Sequence, residues 1–211
     1  MSTFVKQFLD VLGVGESLIQ MTYKRFAKIC PKENIYIVTN EAYKSLVKEQ
    51  LRGIENKQIL TEPSRRNTAP CITYANFKIM QDNPQANIIV APSDHLILDE
   101  NAFIAKINEA LNVTKDSDIL VTLGIEPSYP NTGYGYIQYE VDKSYNEDKE
   151  IKKVKLFTEK PNLEMAKKFI ESGDFLWNAG IFIWSLKSIN KALKENLPEV
   201  YNIFEKGENI Y

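Results

Sequence analysis

Short, almost purely apolar segments alternate with helix-like segments along the first 124 residues of the chain. The segments 88–91 (IIVA) and 118–124 (DILVTLG) are the clearest of the apolar ones. Such strands are typical of a sheet covered on both faces, and their alternation with helices favours parallel pairing. We therefore predict a doubly wound, Rossmann-like α/β fold with a mostly parallel sheet. Further strands are predicted at 34–39 and 57–62, and helices at 17–29, 41–51, 68–80 and 100–113.

The pattern changes after Gly124. Apolar and polar residues alternate around 136–141 and over 151–160, which predicts two strands of an antiparallel extension. The polar segment 144–150 between them predicts a solvated hairpin or loop. A helix at 162–171 follows, then a segment at 174–186 that is strand-like after Gly180, then a helical tail at 187–206 that Pro198 interrupts. Asn40 and Asp99 are predicted to cap the helices that follow them.

Composition limits the classes of function. The 211 residues, 44% of them hydrophobic, suffice for one sizeable domain. The formal charge is -2 and no block of lysine and arginine stands out, so no nucleic-acid partner is expected. No apolar run approaches the roughly 18 residues of a membrane span, and no secretory signal is recognisable, so we expect no membrane partner and a cytoplasmic location. Cys30 and Cys71 are expected to be buried reduced thiols.

Ligands of open parallel sheets bind beyond the carboxyl ends of the strands. Four segments of this sequence occupy such positions: 62–68, 93–95, 124–127 and 159–160. The residues in them are mostly polar or charged, which makes this edge of the sheet the predicted ligand site.

The stretch APSDHLI (91–97) ends the strand at 88–91 with an acid and the single histidine of the chain. Asp94 could hold Mg²⁺ through its carboxylate, with phosphates completing the shell, or could be an ordinary capping carboxylate. His95 lacks the partners of a zinc site, so it is expected to occupy a turn or the core.

The other three motifs each allow two interpretations. TEPSRRNTAP (61–70) could bind an anion with two arginines at a helix start, or could be a capped helix with a surface ion pair. NTGYGYI (131–137) could let a ligand approach the backbone, or could be a tyrosine-lined turn. TEKP (158–161) and WNAG (177–180) could bind sugar hydroxyls and a phosphate, or could be a surface ion pair beside a buried tryptophan.

In their order and spacing, these motifs resemble the sugar-nucleotide pyrophosphorylases, specifically the bacterial mannose-1-phosphate guanylyltransferases. The matching stretches are KQFLDVLG, EPSRRNTAPCI, VAPSDHLI, LVTLGIEPSYPNTGYGYI, FTEKP and FLWNAGIFIWS, which together cover nearly the whole chain. The resemblance implies a nucleotide-diphospho-sugar transferase fold and transfer of GMP from GTP to mannose 1-phosphate. Catalysis of that kind depends on positioning and charge neutralisation.

The resemblance also assigns roles to residues. Asp94 would bind Mg²⁺, the expected cofactor, and Lys6 would neutralise phosphate as a second catalytic residue. Lys160 would bind the phosphate of the sugar. The residues implied for the nucleotide are Glu62, Arg66, Asn67, Thr68 and Ala69, and those implied for the sugar are Gly135, Glu159 and Asn178. GTP and mannose 1-phosphate are the expected partners, with a homodimer as a further candidate.

Two features of the family find no match in this sequence. The family opens with an apolar strand and a glycine-rich loop that holds the triphosphate, and its second metal-binding aspartate lies beyond the equivalent of Tyr211. We therefore expect a single nucleotidyltransferase-like domain over 1–211, incomplete at both ends and without that first strand, with little or no turnover. Two other functions stay open: a non-catalytic module that binds a sugar phosphate or nucleotide, and a related glucose-1-phosphate nucleotidyltransferase.

Overall fold

The computed structural model describes residues 5–62, 68–145 and 148–207. Helices and strands alternate over most of the chain, as the sequence predicts. The strands are β1 (Ile37–Asn40), β2 (Ile59–Glu62), β3 (Asn87–Val90), β4 (Leu120–Ile125), β5 (Tyr136–Tyr145), β6 (Asp148–Thr158) and β7 (Phe175–Ser185). The helices are α1 (Leu18–Phe26), α2 (Lys44–Gln50), α3 (Thr68–Asp82), α4 (Glu100–Asp116), α5 (Leu163–Ser172), α6 (Leu186–Asn196) and α7 (Pro198–Lys206).

Local signals set several helix starts. The side chain of Asp99 accepts a hydrogen bond of 2.9 Å from the N–H of Ala102, which satisfies one free donor in the first turn of α4. Asn40 does the same for Ala42 at 3.0 Å, where a 3₁₀ turn leads into α2. Both predicted caps are confirmed. The chain forms two compact units, Met1–Val121 with Ile183–Tyr211, and Thr122–Phe182.

The first unit contains the parallel pair β1 and β2. Ile37 lies opposite Ile59 and Asn40 opposite Glu62, so both strands end at the same edge. β3 pairs with β7, whose last residues, 183–185, belong to this unit. A hydrophobic cluster of Phe8, Ile19, Val47, Leu51 and Ile59 packs β2 against α1, α2 and the turn at residues 6–8. Each such side chain contributes about 1.5–3 kcal/mol when fully buried.

The second unit is built on antiparallel strands in the order β7, β5, β6, with β4 paired to β7. Tyr136 of β5 lies opposite Thr158 of β6 and Trp177 of β7. α5 covers one face of this sheet, and its Phe169 stacks on Phe175 with ring centroids 4.1 Å apart. A parallel pair and an antiparallel sheet, both combined with helices, confirm the predicted mixed α/β fold.

The largest differences from the predicted boundaries lie in the second unit. The composition of 144–150 predicts a loop, but β5 extends to Tyr145 and β6 begins at Asp148, because Tyr145 pairs with Asp148 at the end of the hairpin. The sequence places β7 only after Gly180, but the strand begins at Phe175, because residues 175–177 pair with β5. Both errors arise from pairing with another strand, which local composition does not report.

The helices of the described residues include none long and apolar enough to cross a membrane. Both cysteines are free thiols, as predicted, although Cys30 and Cys71 are half-buried and not fully enclosed.

Candidate functional site

Lys6 and Asp94 come together in the first unit. Lys6 begins the short 3₁₀ turn Lys6–Phe8, and Asp94 lies in the turn that follows β3. The Lys6 Nζ lies 3.9 Å from Asp94 Oδ2, and their side chains are 66% and 37% exposed. A charged pair this accessible can reach a bound anion or cation. It brings together the two residues to which the family resemblance assigns phosphate and metal binding.

Helix α1 contacts the turn that carries Asp94 and holds it in place. Thr22 Oγ1 donates a hydrogen bond of 3.4 Å to the carbonyl oxygen of Ser93. One turn further along α1, Arg25 is only 1% exposed, and its Nε lies 3.2 Å from Glu100 Oε1 at the start of α4. The residues on both sides of the turn are thus anchored to the same helix.

His95 is half-buried beside Asp94. Burial lowers the pKa of its imidazole, while Asp94 raises the pKa, and Lys6 and Arg25 lower it further. The ring is therefore mainly neutral at pH 7.

Glu62 lies at the end of β2, at the edge where β1 also ends. It interacts with Cys71 of α3. The pKa of the Cys71 thiol is raised to about 12, first by burial and then by the hydrogen bond and the negative charge of Glu62.

Thr68 starts α3 and is exposed, and the carbonyl oxygen of Ala69 accepts a hydrogen bond of 2.8 Å from Thr73 Oγ1. Arg66 and Asn67, the other residues expected to bind nucleotide, lie outside the described residues.

The second unit brings Gly135 and Asn178 together. The Asn178 N–H donates a 2.8 Å hydrogen bond to the carbonyl oxygen of Gly135. A methyl group at position 135 would lie 3.2 Å from the carbonyl oxygen of Thr158 and 3.8 Å from Asn178 Cβ. Thr158 ends β6, so this close approach places Gly135 and Asn178 next to the point where Glu159 and Lys160 leave the strand.

The side chains of Glu159 and Lys160 are exposed and form no ion pair with described residues. Asn178 is half-buried, and its Oδ1 accepts a 2.9 Å hydrogen bond from the N–H of Gly180, which fixes the orientation of the amide. The alternative of a Glu159–Lys160 surface ion pair is therefore not realised. The exposed carboxylate and ammonium groups and the oriented amide can hold the hydroxyls and phosphate of a sugar phosphate.

Trp177 is the centre of an aromatic group that the sequence alone does not single out as a site. Tyr129 and Tyr134 each present an edge to it, with ring centroids 5.2 Å away in both cases. Trp177 is 8% exposed, whereas Tyr129 and Tyr134 are 53% and 47% exposed. Tyr134, a member of this group, is the residue before Gly135 in the sequence. The clustering of tyrosine and glycine at 129–136 was the available signal, although only the fold shows that both tyrosines meet Trp177.

The described residues contain no group of three or more histidine, cysteine, aspartate or glutamate side chains placed to hold a metal ion. Asp94 is the carboxylate to which the family resemblance assigns a cation. Mg²⁺ in nucleotide enzymes commonly uses one or two carboxylates and completes its shell with substrate phosphates and water. The exposed carboxylate of Asp94 fits such a partial site.

Residues 2–209 match the family described as nucleotidyl transferase. The chain belongs to this family. Among curated members, mannose-1-phosphate guanylyltransferase 2 of Escherichia coli O157:H7 is 36% identical over an alignment of 210 residues that covers 96% of this chain and 43% of that protein. Mannose-1-phosphate guanylyltransferase RfbM of Salmonella typhimurium is 37% identical over 206 residues, 96% of this chain and 42% of the relative.

Two solved structures are similar to this chain in fold. A structure titled mannose-6-phosphate isomerase from Helicobacter pylori has a TM-score of 0.80 and 32% identity, with 98% of this chain and 75% of that one covered. A structure titled mannose-1-phosphate geranyltransferase from Thermus thermophilus has a TM-score of 0.81 at 24% identity, with 91% and 54% covered. The latter supports the fold alone. The chain spans less than half the length of the curated nucleotidyl transferases it matches.

Proposed function

We propose that the chain carries the guanylyl-transfer site of a mannose-1-phosphate guanylyltransferase. The supporting observation is its 36–37% identity, over nearly its whole length, to nucleotidyl transferases bearing that name. The reaction would transfer GMP from GTP to mannose 1-phosphate. A phosphate oxygen of the sugar phosphate attacks the α-phosphorus of GTP in line, the bond to the β-phosphate oxygen breaks, and pyrophosphate leaves with that electron pair.

In this proposal the first unit binds the nucleotide. Lys6 would neutralise charge on the phosphates, and its 3.9 Å separation from Asp94 would let both groups act at the same phosphates. Glu62, Thr68 and Ala69, together with Arg66 and Asn67, would face the base. Asp94 would hold Mg²⁺, which supplies charge neutralisation at the phosphates when bound.

The second unit would bind mannose 1-phosphate. Glu159 and Asn178 would take sugar hydroxyls, Lys160 would pair with the phosphate, and Gly135 would allow the sugar to approach the backbone. The anchored amide of Asn178 favours this assignment, because a fixed donor and acceptor discriminates between hydroxyl arrangements. A homodimer and a cytoplasmic location stay predictions.

The test combines binding with turnover. Calorimetry should detect mannose 1-phosphate binding that weakens about tenfold or more in Glu159→Gln and Lys160→Ala, with Lys168→Ala on α5 as the control. In a longer form of the protein that contains this chain, pyrophosphate release should require GTP and mannose 1-phosphate. It should fall when ATP or dTTP replaces GTP and when glucose 1-phosphate replaces mannose 1-phosphate. A preference for glucose 1-phosphate would overturn the proposal in favour of the related enzyme. Binding without release in that longer form would favour the non-catalytic module.

A further inference from the structure

A basic cleft lies between α1 and the end of α2, in the first unit. It has a volume of about 700 Å³, within the range of roughly 300–1,000 Å³ that is usual for small-molecule sites. One wall is the face of α1 that carries Gln20, Tyr23, Lys24, Ala27 and Lys28, residues spaced three or four apart as one side of a helix requires. The other wall comes from the end of α2 and the residues after it.

The two walls are fixed to each other before any ligand binds. The side-chain amide of Gln20 donates a 2.9 Å hydrogen bond to the carbonyl oxygen of Gln50. Gln50 Oε1 accepts one of 2.6 Å from Ser17 Oγ, and Gln50 Nε2 donates one of 3.0 Å to the carbonyl oxygen of Phe8. Buried Leu51 lies beside these groups in the lining. A cleft with walls already in place spares a ligand the cost of ordering them.

The charge of the lining is opposite to that of the protein. The chain carries a formal charge of -2, yet the cleft is lined by Lys24, Lys28, Lys32 and Arg52, with Glu49 as the opposing acid. The basic side chains of the lining outnumber its one acid, and a concave surface with an excess of positive charge attracts anions.

Two of the four basic side chains have an acidic partner, and two have none among the described residues. Lys24 pairs with Glu16, and Lys28 Nζ lies 2.5 Å from Glu100 Oε2, so these two lysines balance nearby acids. Lys32 and Arg52 are exposed and form no ion pair with any described residue. If the lysines and arginine served only to balance local carboxylates, these two would have acid partners. Their free charge is available to a bound anion.

We infer that this cleft is a second ligand site, for a phosphorylated small molecule of about nucleotide size. Arg52 supplies a planar guanidinium that can hold phosphate oxygens in a bidentate manner, and Lys32 supplies a point charge. Tyr23 adds a half-buried phenol to the same wall. The residues of this site do not include any assigned to guanylyl transfer, so the inference stands or falls independently of the proposed function.

The probe for the test is inorganic tripolyphosphate, added without divalent cations to the 15N-labelled chain. Saturable shifts are expected in the backbone amides of residues 20–32 and 49–52. The Lys32→Ala/Arg52→Ala double variant should bind at that location about tenfold more weakly or worse. Lys48→Ala, an exposed lysine of α2 outside the cleft, should bind as the parent does. All substituted side chains are exposed, and thermal unfolding checks that each variant is folded.

Three results would overturn the inference. The amides around the cleft could stay unmoved while others shift, which would place tripolyphosphate at the nucleotide site alone. The double variant could retain the parent affinity. Sodium chloride at equal ionic strength could reproduce the shifts, which would mean that the cleft responds to screening and not to a ligand.

Discussion

Lys6 Nζ lies 3.9 Å from Asp94 Oδ2, although the two residues are 88 positions apart in the sequence and both remain accessible to solvent. Ion pairs in such exposed positions contribute about 0–1 kcal/mol to stability. The chain has therefore little structural reason to hold the two together, and a role in binding explains their proximity better.

We predict that Asp94→Asn and Lys6→Ala separate stability from function. Each variant should unfold within about 1 kcal/mol of the parent in urea. In a longer form of the protein that contains this chain, each should lose about 100-fold or more in guanylyl transfer, because a charge that the proposal directs at the transferring phosphates is missing. Lys168→Ala, which breaks the exposed pair with Glu164 on α5, is the control and should preserve both. A loss of several kcal/mol on unfolding would contradict the assignment.

Arg25, in contrast to Lys6 and Asp94, is buried, and its contacts stabilise the fold. Its Nε lies 3.2 Å from Glu100 Oε1, and its guanidinium lies 5.9 Å from the centre of the Phe103 ring. Arg25→Ala leaves a cavity and removes a buried partner of Glu100, so we expect a loss of about 2–4 kcal/mol in the free energy of unfolding. Lys28 is the other partner of the same carboxylate and is 56% exposed. Lys28→Ala should therefore lower the free energy of unfolding by under about 1 kcal/mol. Urea denaturation measures both, and equal losses would refute the distinction.

The sequence predicts what depends on neighbouring residues. Asp99 and Asn40 cap their helices because an N-cap needs only a side-chain oxygen and an amide two or three residues later. The predicted start of β7 is wrong because Phe175 and Trp177 are in a strand through pairing with β5. The burial of Arg25 is not predictable from the sequence either, since arginine is mostly exposed and its partner Glu100 lies 75 residues away.

The candidate site likewise combines residues that the sequence predicts with contacts that it does not predict. Physical reasoning on strand ends selects Glu62, Asp94 and Glu159, because polar residues after apolar strands are a local signal. The pairing of Lys6 with the site of Asp94 follows only from family resemblance. The contact of Tyr129 and Tyr134 with Trp177 needs three-dimensional information, because it joins segments that are about 45 residues apart.

Gly135→Ala tests the close approach in the second unit. The added methyl group would lie 3.2 Å from the carbonyl oxygen of Thr158, a backbone atom that cannot rotate away, so we expect a loss of about 1–3 kcal/mol. Weaker binding of mannose 1-phosphate should accompany it. At Gly133 the new methyl group would instead meet the side-chain Oδ1 of Asn131 at 3.1 Å. Because that side chain can shift, at the cost of the exposed 2.6 Å hydrogen bond that it accepts from the Gly133 N–H, Gly133→Ala should cost less. Thermal unfolding with calorimetry compares the two, and a more harmful Gly133→Ala would contradict the geometry.

Cys71 provides a prediction on pH. Burial, with help from Glu62, raises the pKa of its thiol from the ordinary 9.0 to about 12 in the folded chain. The folded state thus holds the thiol proton more tightly than the unfolded state. The resulting stabilisation is fully present below pH 9 and is lost as the pH rises from about 9 to about 12.

Because the thiolate is the reactive form, Cys71 should alkylate with iodoacetamide at pH 8 far more slowly in the folded chain than in urea. Cys30, whose thiol pKa is also raised by burial and by Glu33, serves as the internal comparison once mass spectrometry separates the two peptides. Glu62→Gln removes the neighbouring charge and should accelerate alkylation of Cys71 without changing that of Cys30. Equal rates at Cys71 in the folded parent and in urea would show that the thiol is neither buried nor held by Glu62.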